Sequence, residues 1–95
     1  MIRTIATDEF RTWQRRLKDR NAAERVAEAI IKLRNGLGKT RSLGGGLSEA
    51  KIFYGPGYRL YFTCRGKATI ILLWGGDKTT QERDIGRARK MLKSL

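Results

Sequence analysis

The segment "KIFYGPGYRLYFTCRGKATIILLW", residues 51–74, decides the fold because it holds three apolar runs separated by two short turns. The sequence "GPG" at 55–57 is typical of a tight turn, and Arg65 with Gly66 supplies the second turn. An antiparallel meander of three strands follows from this spacing. The strands are predicted at about residues 49–54, 58–64 and 68–74.

The last of these strands, containing "ATIILLW", is apolar on both faces. Such a strand is typical of the centre of a sheet, where both faces are covered. We therefore expect helices on one side of the sheet and something else, such as a partner, on the other.

Residues 2–6, "IRTIA", predict a short opening strand that is followed by two helices. Thr7 and Asp8 offer N-cap chemistry for the first helix. Its apolar stripe consists of Phe10, Trp13 and Leu17. A second stripe, separated from the first by Asn21, consists of Val26, Ala27, Ile30 and Leu33. Gly36 stands where a left-handed C-cap is expected, so the two helices should form a hairpin.

The glycine-rich segment 35–48, "NGLGKTRSLGGGLS", has no apolar periodicity and predicts a mobile, basic loop. Its fragment "GLGKT" ends like a nucleotide-binding P-loop. However, the first glycine of that motif would fall on Leu33, inside a helix, and no apolar strand precedes it. A nucleotide site is therefore not expected.

After the meander, residues 79–95 predict a C-terminal helix. Thr79 and Glu82 fit a capping box, and an apolar stripe consists of Ile85, Ala88, Leu92 and Leu95. A chain of 95 residues is expected to form one domain, spanning 1–95. The predicted fold class is α+β, with an N-terminal strand and helical hairpin packed on a small antiparallel sheet and a C-terminal helix.

The chain has 21 Lys and Arg against 9 Asp and Glu, a formal net charge of +12. Such an excess favours a polyanionic partner, and nucleic acid is the first to expect. Residues 32–67 hold eight of the cations and one anion, Glu49, which indicates where the binding face lies. No helix shows the broad aromatic face of a membrane-binding helix, so no membrane partner is expected.

A single cysteine, Cys64, excludes an internal disulfide, and its place in an apolar strand predicts a small buried filler. The sequence shows neither a signal peptide nor a spanning segment. A cytoplasmic location is therefore expected.

Alternation along the second strand of the meander creates a polar face. Tyr58, Leu60, Phe62 and Cys64 should face the core, and the opposite face should carry Arg59, Tyr61, Thr63 and Arg65. The short "GPG" turn brings Lys51 near the Arg59 to Tyr61 stretch, with Glu49 on the same face. Lys78, in what reads as a flexible glycine loop, could reach that face from its end.

An arginine that grips phosphate beside a tyrosine that stacks a base suits single-stranded RNA. The alternative is a solvated sheet face with weak cross-strand ion pairs.

The chain has no histidine and one cysteine, so a metal site, a cofactor and a Cys–His or Ser–His nucleophile are not expected. RNA cleavage needs less, because the 2′-hydroxyl of the substrate is the nucleophile and several cations can position it and stabilise charge. Crowding by like charge could let Lys51 or Lys78 act as base or acid. Glu49 is the conventional base, and the choice among the three stays open.

The order of elements, with "LSEAKIFYGPGYRLYF" at 47–62 and "IILLWGGDKTTQERDI" at 70–85, resembles the RelE/ParE toxin superfamily. It is most similar to the phage-derived, HigB-like addiction-module killer proteins. The resemblance covers nearly the whole chain and implies a RelE-like fold.

In the mRNA-cleaving branch, the arginine after the Gly-Tyr pair is a phosphate clamp, which the resemblance transfers to Arg59. The second of two basic residues on the preceding strand corresponds to Lys51, and a basic residue after the central strand corresponds to Lys78. The first basic residue of that pair falls on Glu49, which is a departure from the pattern. Residues 79–95 also contain no counterpart of the C-terminal tyrosine of some members.

The resemblance implies a type II toxin that cuts mRNA in the ribosomal A site without metal or cofactor. Its implied partners are mRNA, the ribosome and an adjacently encoded antitoxin, expected to be a helix-turn-helix protein that brings the pair to operator DNA. Further RNA-binding candidates are Arg34, Lys39, Arg41, Tyr61 and Arg65, with Arg11, Arg15 and Arg16 facing rRNA phosphates. Two other hypotheses stay open, a ParE-like DNA gyrase poison and a non-enzymatic nucleic-acid-binding module.

Overall fold

The computed structural model describes residues 2–95. Within them the chain forms five strands and three α-helices, the last preceded by one 3-10 turn at Lys78–Thr80. In chain order the elements are β1 (Arg3–Ala6), α1 (Asp8–Arg15), α2 (Arg20–Arg34), β2 (Thr40–Gly44), β3 (Leu47–Ile52), β4 (Tyr58–Arg65), β5 (Thr69–Gly76) and α3 (Gln81–Lys93).

The five strands form one sheet in the order β1-β5-β4-β3-β2. Neighbours from β2 to β5 are antiparallel, which confirms the predicted meander of β3, β4 and β5. The opening strand β1 pairs with β5 in parallel, with Arg3 opposite Thr69, so the sheet is mixed rather than wholly antiparallel. The predicted α+β fold class is confirmed.

Helices cover both faces of the sheet. On one face the helical hairpin contributes Phe10, Val26 and Leu33 to a core that includes Leu60 and Phe62 of β4. On the other face α3 packs over a second buried cluster, formed by Leu47, Tyr61, Ile71, Leu73 and Ala88. The prediction that both faces of β5 are covered is confirmed. The second face is covered by the C-terminal helix of this chain and not by a partner.

The predicted start of α1 is confirmed. The Thr7 hydroxyl accepts a hydrogen bond from the Phe10 N–H at 3.0 Å and donates to the Leu73 carbonyl at 2.7 Å. The second helix starts earlier than expected, because Asp19 is its N-cap and accepts from the Asn21 N–H at 2.9 Å. One threonine hydroxyl thus joins α1 to the central part of the sheet.

The C-terminus of α2 ends as predicted. Gly36 has a φ of 69° and its N–H bonds to the Leu33 carbonyl at 3.1 Å. The Leu37 N–H reaches back to the Lys32 carbonyl at 2.8 Å. Together these two bonds form a Schellman motif, which satisfies carbonyls that the last helical turn would leave unpaired.

The prediction that residues 35–48 form a mobile loop is wrong for most of that segment. Residues 40–44 form β2, which pairs with β3 so that Arg41 lies opposite Glu49. Gly45 and Gly46, at φ values of 64° and 87°, make the turn between the two strands. Arg89 of α3 donates to the Leu43 carbonyl at 2.6 Å and holds the end of this hairpin. The glycines serve a tight turn here.

Two smaller expectations are also wrong. The Thr79 N–H and hydroxyl both bond to the Asp77 carboxylate, at 2.8 and 2.6 Å, so the capping box with Glu82 does not form. Helix α3 begins at Gln81, and the side chain of its N-cap residue, Thr80, accepts no backbone N–H of the first turn. Cys64, expected to be buried, is exposed because β4 extends beyond the edge of the core at that point.

Candidate functional site

The strand register brings three of the predicted catalytic residues to one end of the sheet. Lys51 of β3 lies opposite Arg59 of β4, within the Arg59 to Tyr61 stretch to which the "GPG" turn was expected to bring it. On its other side Arg59 lies opposite Gly76, the last residue of β5. Lys78 follows two residues later, and its backbone N–H donates to the Pro56 carbonyl at 3.3 Å. Both lysine side chains are exposed.

Arg59 is buried rather than displayed on an open face. It is only 5% exposed, and its Nη1 lies 3.7 Å from Oε1 of Glu49, which is 1% exposed. The distance is that of an ion pair and is too long for a hydrogen bond. The expectation that both groups face solvent is therefore wrong, and the physical reason is that the start of α3 covers this part of the sheet. Their catalytic roles remain predictions.

Both carboxylate oxygens of Glu49 have other partners. Gln81 of α3 donates through Nε2 to Oε2 at 2.8 Å. Arg41 of β2 donates through Nε to Oε1 at 3.2 Å, and its own side chain is 62% exposed. Glu49 therefore ties β2, β4 and α3 together, and the carboxylate is shared by two guanidinium groups.

Three buried polar atoms of side chains in residues 2–95 have no hydrogen-bond partner. They are Nε and Nη1 of Arg59 and the hydroxyl oxygen of Tyr61. Tyr61 is fully buried, and burial raises the pKa of its phenol above the ordinary value. The expectation that Tyr61 stacks an RNA base is thus wrong, since neither face of its ring is accessible. Nη1 of Arg59 is the atom of the ion pair with Glu49, and neither Nη1 nor Nε donates a hydrogen bond.

The predicted RNA-binding cations do not all gather at this end of the sheet. Lys39 is close to it, because its carbonyl accepts from the Lys51 N–H at 2.9 Å. Arg65 is at the opposite end of β4. Arg34 is next to the far edge strand and donates to the Thr4 hydroxyl at 3.1 and 3.0 Å. Arg34 and Arg65 therefore lie outside the site formed by Lys51, Arg59 and Lys78.

Glycines 75 and 76 are packed in β5 and do not form a flexible loop, contrary to expectation. A Cβ on Gly75 would collide with the indole of Trp13, and one on Gly76 would collide with the carboxylate of Asp84. Each glycine is thus required by a side chain that approaches from a different face of the sheet. Close packing, rather than motion, explains the "GG" pair ahead of Lys78.

Asp84 is a buried group whose place sequence reasoning did not identify. It is 2% exposed, and its carboxylate accepts from Trp74 Nε1 at 3.0 Å and from the Thr80 hydroxyl at 2.5 Å. These bonds fix the start of α3 against β5, beside Gln81 and Lys78. The signal was present in the motif "GGDK..Q..DI", which contains Gln81 and Asp84 at helical spacing.

No group of three or more His, Cys, Asp and Glu side chains within residues 2–95 is placed to hold a metal ion. In the same residues, none of the helices is both long enough and apolar enough to span a bilayer.

Comparison with known proteins supplies a relative but no function. No family model matches the chain. A protein of Haemophilus influenzae, described only as "Uncharacterized protein", is 36% identical over 95 residues, which cover 99% of this chain and 94% of the relative. Similarity of this extent shows common membership, so the chain belongs to the same family as this Haemophilus influenzae protein.

Proposed function

We propose that the chain is the toxin of a type II toxin–antitoxin module and that it cleaves mRNA on the ribosome. The observation that supports this most is the placement of two exposed lysines, Lys51 and Lys78, around the buried Arg59 at one end of the sheet. The +12 charge and the resemblance of the "GPGYR" and "GGDK" segments to RelE/ParE toxins support the same proposal.

The chemistry would draw its nucleophile from the substrate. The 2′-hydroxyl oxygen attacks the adjacent phosphorus, the bond to the 5′ oxygen breaks, and the products are a 2′,3′-cyclic phosphate and a 5′-hydroxyl. One group must take the 2′ proton and another must give a proton to the leaving 5′ oxygen. Lys51 and Lys78 are the accessible candidates, whereas Glu49 would first have to leave its three partners.

Arg59 would serve the phosphate only after its guanidinium swings outward from Glu49, because Nε and Nη1, the donors without a hydrogen-bond partner, are buried. An approaching phosphate would compete with Glu49 for the guanidinium, and bidentate contact with phosphate is strong. The ribosome would hold the message in line, which supplies much of the rate when the catalytic groups are few.

The partner in this proposal is an adjacently encoded antitoxin of helix-turn-helix type. An acidic segment of it would neutralise the basic face, since unrelieved repulsion among so many cations costs stability. The proposed setting is the cytoplasm, and operator DNA would be bound only by the toxin–antitoxin pair.

The test is inducible expression of the wild-type chain and of the variants Lys51→Ala and Lys78→Ala. Loss of a proton-transfer group should slow cleavage of translated mRNA by about 10²-fold or more, and growth arrest should be relieved. Lys67→Ala is the matched control, because Lys67 is also exposed but is in the turn between β4 and β5, at the other end of the sheet. It should remain toxic.

The readout is the set of new mRNA ends that form soon after induction, with thermal unfolding as the check that each variant is folded. Persistent cleavage in both folded lysine variants would refute the site. Absence of any growth defect from the wild-type chain would favour a non-enzymatic module.

One observation favours a second candidate, a gyrase poison like the ParE branch. Arg59, the residue expected to bind phosphate, is already paired with Glu49 inside the protein. A gyrase poison needs no phosphate-binding arginine of this kind. This candidate predicts trapped breaks in plasmid DNA and intact mRNA, so gel analysis of the plasmid separates the two.

A further inference from the structure

Phe53, just after β3, is 73% exposed and is the most exposed of the large hydrophobic side chains in residues 2–95. The other aromatic residues there are buried or partly buried. A lone exposed apolar side chain needs no explanation by itself. Its surroundings are what make Phe53 informative.

Phe53 lies where two surface grooves meet. One groove, between α2 and β3, is lined by the cations Arg25, Lys32, Lys39 and Lys51. Its single carboxylate, Glu28, is paired with Lys32 at 3.4 Å. The other groove follows the "GPG" turn, residues 55–57, to Lys78. The ring thus joins a basic groove to the proposed catalytic end of the sheet.

The Lys51 ammonium is over the Phe53 ring, 5.7 Å from its centroid. An aromatic ring next to a mobile cation is the arrangement with which proteins hold single-stranded nucleic acid, since the base stacks while the cation meets the phosphate. An apolar protein partner would not account for four cations around the groove.

We infer that Phe53 is a base-stacking residue for single-stranded RNA, with the strand passing from Lys78 over Phe53 into the groove lined by Lys39 and Lys51. The inference deepens the proposed function and rests on it for the identity of the substrate. Phe53 takes the role that the buried Tyr61 cannot fill.

The test uses the purified full chain and a short 2′-O-methyl oligoribonucleotide that carries one 2-aminopurine base. Because the 2′-hydroxyl is blocked, the probe reports binding and stacking without cleavage, so a failed nuclease assay does not affect the result. Phe53→Ala should weaken binding by about 5- to 150-fold and remove the fluorescence quenching caused by stacking. Phe53→Trp should retain both.

Ile31→Ala and Leu37→Ala are matched controls, since these side chains are 55% and 61% exposed and line neither of the two grooves that meet at Phe53. Their RNA affinity should equal that of the wild type. Wild-type affinity and quenching in Phe53→Ala would overturn the inference. So would a Phe53→Ala chain that binds RNA normally but no longer binds the adjacently encoded protein, because Phe53 would then be a protein contact.

Discussion

Replacing Gly76 with alanine is expected to destabilise the fold by about 2–5 kcal/mol, although the change adds a single methyl group. Gly76 is in an ordinary extended conformation, so the cost does not come from its backbone angles. It comes from the carboxylate of Asp84, which occupies the space that the new Cβ needs.

The magnitude follows from what Asp84 would lose. Its carboxylate accepts two hydrogen bonds, from Trp74 and Thr80, and hydrogen bonds to a charged group contribute about 1.5–3 kcal/mol each. Alanine also lowers the entropy of the unfolded chain, which offsets about 0.4–1 kcal/mol. A domain of this size is stable by roughly 5–14 kcal/mol, so the loss is a large fraction of the total.

The measurement is urea unfolding of the wild type, Gly76→Ala and Gly86→Ala. Gly86 is the matched control: a Cβ there has nothing within 4 Å, and the residue is inside α3. Alanine at that position should stabilise the protein by about 0.5–1 kcal/mol. Substitution by alanine should thus change the free energy of unfolding in opposite directions at two glycines that are ten residues apart.

A double-mutant cycle with Asp84→Ala tests the cause. Once the carboxylate is removed, Gly76→Ala should cost far less than it does in the wild type. The reasoning is refuted if Gly76→Ala unfolds at the wild-type urea concentration, or if its cost is the same with and without Asp84.

Two further predictions concern ionised groups. Glu49→Gln should lower the free energy of unfolding by about 3–5 kcal/mol in a urea titration, because it leaves the buried guanidinium of Arg59 without a counter-charge. The double variant Glu49→Leu, Arg59→Met removes both charges and should lower it much less. Equal losses in the two variants would contradict this reasoning. Tyr54→Phe should raise the pKa of Asp19, which is held below its ordinary value chiefly by the hydroxyl of Tyr54 at 2.8 Å. A carboxyl group whose pKa is lowered by folding stabilises the protein above its unfolded-state pKa, and this stabilisation is lost as pH falls through the folded-state pKa. The unfolding free energies of the wild type and the variant should therefore converge in acid. NMR titration would measure the pKa of Asp19, and urea unfolding at several pH values would measure the stabilities.

The parts of the fold that follow from local rules could be predicted. Strand alternation and the short "GPG" turn were enough to place Lys51 near the Arg59 to Tyr61 stretch and on the same face. The register itself was not predicted, because the connection spans residues 53–57 and so pairs Lys51 with Arg59, whereas a turn of residues 55–57 alone would pair it with Tyr61. The helix ends at Thr7 and Gly36 also follow from local chemistry.

What could not be predicted is which surfaces meet. Alternation assigns Arg59 and Tyr61 to one face of β4, yet it does not say whether that face is open. The packing of α3 decides this, and it turned an expected binding platform into a core with a buried ion pair. The glycine content of residues 35–48 also led to a wrong prediction. It is typical of a loop, but Gly45 and Gly46 form the turn of the β2–β3 hairpin.

The parallel pairing of β1 with β5 has a consequence for synthesis of the chain. Residues 3–6 are made before their partners at 69–72 and before the Leu73 carbonyl that binds Thr7, with more than sixty residues between them. Contacts so distant in sequence close late in folding. Lys78 is made later still. A nascent chain that stops before residue 69 lacks both the pairing partner of β1 and Lys78, so fragments released by interrupted translation should form neither the closed sheet nor the proposed site.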